Sequence, residues 1–164
     1  ARIRICRRTT SPGWSDFPAM GSSSSSGGRL GQGPGEFRNA HAIALDSRGR
    51  VFVGDRGNGR LQIFDTDGTF IAEWRQFGRP SGLYIDQADT LYVIDADSSA
   101  ANNPGMKKGI RIGSARDGRI VAFVPGHQTE NPDGAAGEGI VADPAGNLYA
   151  AENTVRGLTK YAKR

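Results

Sequence analysis

One phrase occurs three times in this chain: a short apolar strand ending in an acid, a tight turn, a second strand, and a second acid. The copies are Ala42-Ile43-Ala44-Leu45-Asp46 with Val51-Phe52-Val53-Gly54-Asp55, Gly82-Leu83-Tyr84-Ile85-Asp86 with Leu91-Tyr92-Val93-Ile94-Asp95, and Gly139-Ile140-Val141-Ala142-Asp143 with Leu148-Tyr149-Ala150-Ala151-Glu152. The two acids of each copy stand nine residues apart, and Asp46 and Asp86 are 40 residues apart. Asp86 and Asp143 are 57 apart, the same unit with an insertion. A period near 40 built from short strands and turns is the signature of a β-propeller blade, a small sheet that buries its faces only against neighbouring blades. The expected fold is therefore all-β, with three blades over residues 29–164 forming half of a six-bladed ring. Residues 1–28 carry no copy of the phrase and read as a non-repeat leader or linker.

Strands are expected at 41–46, 50–55, 60–65 and 69–74 in the first blade, and at 82–86, 90–95, 109–113 and 119–124 in the second. The third blade has strands at 138–143, 147–152 and 158–161, and no fourth. Asp67-Gly68 and Asp117-Gly118 suit the last hairpin turns, because glycine tolerates positive φ. A third strand without an outer neighbour invites pairing with another chain. The alternating run Ala1-Arg2-Ile3-Arg4-Ile5-Cys6 is a candidate donor of that missing strand. Two half-rings on a two-fold axis would close the propeller, so a homodimer is expected.

Composition narrows the function classes. No run approaches the ~20 apolar residues that a membrane-spanning helix needs. The chain carries a formal net charge of +4, much of it in Arg2, Arg4, Arg7 and Arg8. Without aromatic residues interleaved among them, these read as a solvated arm rather than a nucleic-acid contact. The lone Cys6 cannot form an internal disulfide, and no signal peptide is visible, so a cytoplasmic or recombinant setting is expected. Gly31 to Gly35 lacks the Lys-Ser/Thr and the following helix of a phosphate loop.

The phrases Gly33-Pro34-Gly35-Glu36-Phe37, His41-Ala42-Ile43-Ala44-Leu45-Asp46 and Asp55-Arg56-Gly57-Asn58-Gly59-Arg60-Leu61-Gln62-Ile63-Phe64 resemble the NHL repeat. Within that family they are similar to the six-bladed bacterial relatives of peptidyl-α-hydroxyglycine α-amidating lyase. The resemblance implies that His41 is a zinc ligand at the central channel and Arg56 a catalytic arginine. Ser81 and Glu138 stand at the places matching His41 in the other blades, and the family's Asp-Gly-Tyr phrase is absent.

Residues entering innermost strands face the axis, so His41, Ser81 and Glu138 are expected to line a channel. Imidazole with carboxylate suits zinc or manganese, with calcium a further possibility. The expected activity is metal-assisted hydrolysis or lyase chemistry on a small ester, lactone, phosphoester or hydroxyglycine-type substrate. His41 and Glu138 would be the ligands, and His41 and Arg56 the catalytic residues. The gluconolactonase and paraoxonase-like hydrolases, also six-bladed, resemble this arrangement with calcium.

Each of these residues also has a structural reading. His41 and Arg56 suit packing and ion pairing as well as chemistry, and Arg60 suits a salt bridge to a blade acid. Asp46, Asp86 and Asp143 recur in every copy and suit turn capping. Asp55, Asp95 and Glu152 suit pinning of neighbouring strands, and His127 suits a solvated loop. A non-catalytic NHL binding or scaffold module, or an inactive propeller fragment, is the alternative function.

Overall fold

The computed structural model describes residues 6–7, 25–127, 136–152 and 156–163. Three antiparallel sheets follow one another along the chain. The first contains β5 (Ala40–Leu45), β6 (Val51–Asp55), β7 (Arg60–Phe64) and β8 (Phe70–Trp74), in that spatial order. The second contains β9 (Pro80–Ile85), β10 (Thr90–Asp95), β11 (Gly109–Ser114) and β12 (Ile120–Pro125). The third has β13 (Gly139–Ala142), β14 (Leu148–Glu152) and β15 (Gly157–Tyr161). The strands expected from the repeat are thus present, with ends shifted by a residue or two. All β and bladed is the architecture.

Before the first sheet, β3 (Arg29–Leu30) and β4 (Glu36–Phe37) form a short parallel pair. The expected strand at Ala1–Cys6 lies outside the described residues except for Cys6. Here Cys6–Arg7 (β1) pairs with Ser25–Ser26 (β2) rather than with β15.

The repeat explains the packing. Alternate residues of a strand point to opposite faces, so Phe52, Leu61 and Ile63 leave the first sheet on the face opposite Val51 and Val53. They meet Leu83, Ile85, Leu91 and Val93 of the second sheet in one core, with Phe77 and Ala115. Phe52, Leu61, Ile63, Leu91 and Val93 are all fully buried. Burial of each side chain stabilises by roughly 1.5–3 kcal/mol. Tyr92, Ile94 and Ile110 of the second sheet meet Ile140, Leu148 and Ala150 of the third in the same way. The first strands β5, β9 and β13 lie side by side, which makes them the inner edge of the stack.

The acids that open each hairpin cap their turns, as their recurrence suggests. Asp46 Oδ1 accepts from the amides of Arg48 and Arg50 at 3.0 and 2.8 Å. Asp86 Oδ1 accepts from Ala88 and Thr90 at 2.9 and 2.8 Å, and Asp143 Oδ1 from Asn147 at 2.8 Å. The third turn residue takes positive φ, as Gly49 and Gly146 do. In the middle copy that place belongs to Asp89, at φ 63°, a left-handed conformation that aspartate tolerates better than most residues. Its carboxylate accepts from the amide and hydroxyl of Ser47 at 2.9 and 2.8 Å, which ties the second sheet to the first.

Gly82 sets how closely the second and third sheets approach. A Cβ there would lie 2.7 Å from the Glu138 carbonyl oxygen and 2.7 Å from Ile94 Cγ2. Gly82→Ala is therefore expected to destabilise by about 1–3 kcal/mol, the usual cost of overpacking. Urea unfolding followed by far-ultraviolet circular dichroism measures it, and an unchanged midpoint would show that the sheets can separate freely here.

Candidate functional site

In an antiparallel sheet the start of the first strand, the end of the second, the start of the third and the end of the fourth share one end. His41, Arg56, Asn58, Arg75, Arg79, Asn102 and Glu138 all fall at that end. The opposite end is occupied by the carboxylate-capped turns. The loop end is where side chains have no turn to build, and two polar features occupy it.

The first is the meeting of His41, Arg56 and Glu138. Arg56 Nη1 lies 3.3 Å from Glu138 Oε2 and His41 Nε2 lies 3.5 Å from the same oxygen. His41 Nδ1 stands 2.7 Å from the Ser81 carbonyl oxygen. A carbonyl only accepts, so Nδ1 carries the hydrogen and Nε2 is the nitrogen turned toward Glu138. The three side chains retain 28%, 22% and 32% of their surface, so a solute can reach them. Arg56 begins the 3-10 turn Arg56–Asn58, which Gly59 closes in the left-handed conformation at φ 60°.

Sequence reasoning named these three residues, and the fold brings them together from the first and third sheets. Ser81 joins them only through its backbone carbonyl, not its side chain. It is 1% exposed, and its hydroxyl accepts from the Ala96 amide at 3.4 Å. The inward-facing position of β9 is thus turned into the sheet, because Ser81 is small enough to bond its own loop.

A structural zinc takes four protein ligands and a catalytic zinc three. His41 and Glu138 supply two donors, and Arg56 donates to the same carboxylate oxygen that a metal would use. No group of three or more His, Cys, Asp or Glu able to hold a metal occurs among the described residues. The donor set of one chain does not fit the metal that the resemblance implies.

The second feature is a recess of about 370 Å³ lined by Arg38, Arg75, Arg79, Asn58, Asn102 and Asn103, among others. Gly57 forms part of its wall, and a Cβ there would lie 2.8 Å from Arg38 Cβ. Arg75 Nε donates to Glu73 at 2.9 Å and Arg79 Nε to Asp97 at 2.7 Å. Glu73 is shared with Arg60, and Arg38 has no acid within ion-pair distance among the described residues. Three guanidinium groups therefore face the equivalent of fewer than two carboxylates. The sequence reading missed this recess. Its arginines come from two separate connections, Arg38 before β5 and Arg75 with Arg79 between β8 and β9, and only their common position at the strand ends could have signalled it.

The recurring second acids are structural. Asp55 accepts from Arg60 Nε at 3.0 Å with both side chains buried, and from the amides of Arg38 and Asn39. Asp95 is fully buried beside Arg111 at 3.4 Å. Among the described residues Glu152 has no such arginine. Tyr161 donates to its Oε1 at 3.2 Å, and His127 Nε2 lies 3.4 Å from Oε2. His127, expected to be solvated, is instead 31% exposed at its side chain and set against this buried acid, with its Nδ1 3.5 Å from the Tyr161 hydroxyl.

Comparison with known proteins fits this architecture. Residues 37–64 match the NHL repeat. The matched stretch runs from β4 to the end of β7 and includes His41, Arg56 and the Asp55–Arg60 pair. The chain is 50% identical over 48 residues to human NHL repeat-containing protein 3, which is 29% of this chain and 14% of that protein. It is 52% identical over 46 residues to Protein lin-41 of Caenorhabditis elegans, 28% of this chain and 4% of that one.

Among solved structures, a protein of unknown function from Bacteroides caccae superposes with a TM-score of 0.54 at 14% identity, over 72% of this chain and 43% of that one. The extracellular domain of a one-component system from B. thetaiotaomicron gives 0.54 at 13% identity, over 97% and 23%. The NHL repeat is shown for residues 37–64, and these structures share the fold. The chain spans a small fraction of the relatives it matches.

Two outcomes follow from the buried acids. Arg60→Ala leaves Asp55 charged and unpaired inside the NHL repeat, and is expected to cost about 3–5 kcal/mol in chemical unfolding. Burial and then the nearby Glu152 charge push the Tyr161 hydroxyl up to about 12. A raised value means that the unfolded chain releases this proton first, near the ordinary 10. The contribution is whole below about pH 10 and is lost as pH rises toward 12. Thermal unfolding between these pH values should show a fall that Tyr161→Phe reduces.

Proposed function

We propose that this chain is a non-catalytic binding module of the NHL type that takes an anionic group, a carboxylate or phosphate, into the arginine-lined recess at the loop end of its sheets. The observation that carries the reading is the charge imbalance in the recess, where Arg38 faces the cavity without an acid partner beside Arg75 and Arg79. A guanidinium presents a planar fork of donors matched to carboxylate and phosphate oxygens. Asn58 and Asn102 are already committed to neighbouring carbonyl groups, so the walls hold their shape when a ligand enters. The His41–Arg56–Glu138 cluster then acts as a polar clasp between the first and third sheets at the edge of the same face.

A competing enzymatic reading is metal-assisted hydrolysis or lyase chemistry at His41, Arg56 and Glu138. In its favour, the three side chains meet and remain accessible; against it, a third donor is required.

Calorimetric titration separates the two. Inorganic phosphate and a glutamate-rich peptide should bind at low salt and weaken as salt is added. Arg38→Ala should lower affinity by roughly tenfold or more, the worth of one charge-assisted hydrogen bond. Binding unchanged by Arg38→Ala, or no binding, would overturn the module reading. Stoichiometric zinc, manganese or calcium binding that His41→Ala abolishes would put the enzymatic reading in its place.

A further inference from the structure

The arginine-lined recess is built from the same parts on its two sides. Asp55 and Asp95 are the second acids of successive repeats, and both are fully buried. Asp55 Oδ1 accepts from the Arg38 amide at 3.0 Å, and Asp95 Oδ2 accepts from the Arg79 amide at 3.0 Å. Each acid thus fixes the backbone of one arginine just before the first strand of its own sheet, β5 or β9. The same acids each hold an asparagine. Asn58 Nδ2 donates to Asp55 Oδ2 at 2.7 Å. Asn103 Nδ2 donates to the Ser98 hydroxyl at 2.9 Å, and that hydroxyl donates to Asp95 Oδ2 at 2.6 Å. Ser98 is buried, so this second link runs through the interior. Arg38, Asn58, Arg79 and Asn103 all line the one recess. Before β13 the third repeat has Ala136 and Gly137, so it offers no further arginine there.

Two half-sites, each with a guanidinium and an amide, exceed what a single anionic group needs. A volume of about 370 Å³ lies in the range that encloses a whole small molecule, and one phosphate or carboxylate fills a small part of it. Arg38 has no acid within ion-pair distance among the described residues. Arg79 uses its Nε on Asp97 at 2.7 Å, which leaves the two terminal nitrogens of its fork for a ligand. The Asp97 side chain is 39% exposed, so solvent screens that pair and it holds the guanidinium only weakly. Arg75 is more exposed and is occupied by Glu73 and the Asn58 carbonyl.

We propose that the recess takes a small molecule with an anionic group at each end, one seated on Arg38 and the other on Arg79. The inference rests on the anion-binding reading of this recess and names its class of ligand: a dicarboxylate or a compound with two phosphoryl groups. A guanidinium fork matches the oxygens of either. Buried acids fix both arginine backbones before a ligand arrives, which lowers the ordering cost of binding. Joining two anionic groups makes the second contact intramolecular, and the gain is greatest when the spacer matches the span between the arginines.

Calorimetric titration of the full chain at low salt tests this with acetate, inorganic phosphate, pyrophosphate and the straight-chain dicarboxylates from malonate to adipate. A two-headed probe should bind roughly tenfold or more tighter than its one-headed counterpart. Among dicarboxylates the gain should peak at one chain length. Arg38→Ala and Arg79→Ala should each return the two-headed probe to one-headed affinity with the circular dichroism spectrum unchanged. Should Arg79→Ala alter that spectrum, Arg79→Gln gives the same reading. A gain confined to pyrophosphate assigns phosphoryl ends, and one confined to a dicarboxylate assigns carboxylate ends. Equal affinity for one-headed and two-headed probes overturns the inference, as does a gain that only one of the two arginines supports. If phosphate still binds and Arg38→Ala weakens it, that result removes the two-headed ligand alone and leaves the anion-binding reading standing. Absence of binding by every probe removes both.

Discussion

Every sheet in this protein is too small to be stable alone, and the structure depends on the apolar strip that one sheet offers the next. Three or four strands of four to six residues bury little until their apolar face meets another sheet. When Phe52, Leu61 and Ile63 meet Leu83, Leu91 and Val93, a dry core forms. The third sheet repeats the solution with Ala150 and Leu148 against Ile94 and Ile110. Gly82 removes a Cβ where the backbones of the second and third sheets approach.

Face-to-face stacking of this kind separates the molecule into two ends with different work. At one end, carboxylates cap turns: Asp46, Asp86 and Asp143 bond the amides that follow them, and Asp89 ties the second sheet to Ser47 of the first. At the other end, arginines and asparagines of the connections at 38–39, 56–59, 75–79 and 96–108 surround a recess. Buried ion pairs sit just beneath that surface. Asp55 with Arg60 fixes β6 to β7 and also bonds the amides entering β5, so the loop end is held rigidly from below. Arg60 reaches further, donating to the carbonyls of Gln32, Gly33 and Glu36. This anchors the glycine-rich segment against the first sheet, where Glu36 accepts from Gln32 and Gly33.

The elements that could be read from the chain are those governed by local rules. Alternating apolar residues between capped turns define strands, and the same phrase repeated defines sheets that must stack. His41, Arg56 and Glu138 were named from their places in the repeated phrase, and they do converge. Ser81 held an equivalent place and meets His41 only through its carbonyl, because its short hydroxyl side chain takes the Ala96 amide instead. Nothing local distinguishes those cases. His127 is similar: in sequence it belongs to a proline-bounded loop, and only the stacking of the third sheet on the second sets it beside Glu152.

The sequence by itself determined the three-sheet architecture, its register, and the division between turn-capping and strand-pinning acids. These follow from two-residue periodicity and from hydrogen bonds spanning two to four residues. Tertiary structure alone decided that Arg38, Arg75 and Arg79 surround one recess and that one carboxylate oxygen of Glu138 serves both Arg56 and His41. Such facts depend on how whole sheets are placed against one another, over separations of 40 to 100 residues, where no short-range rule couples one side chain to the next.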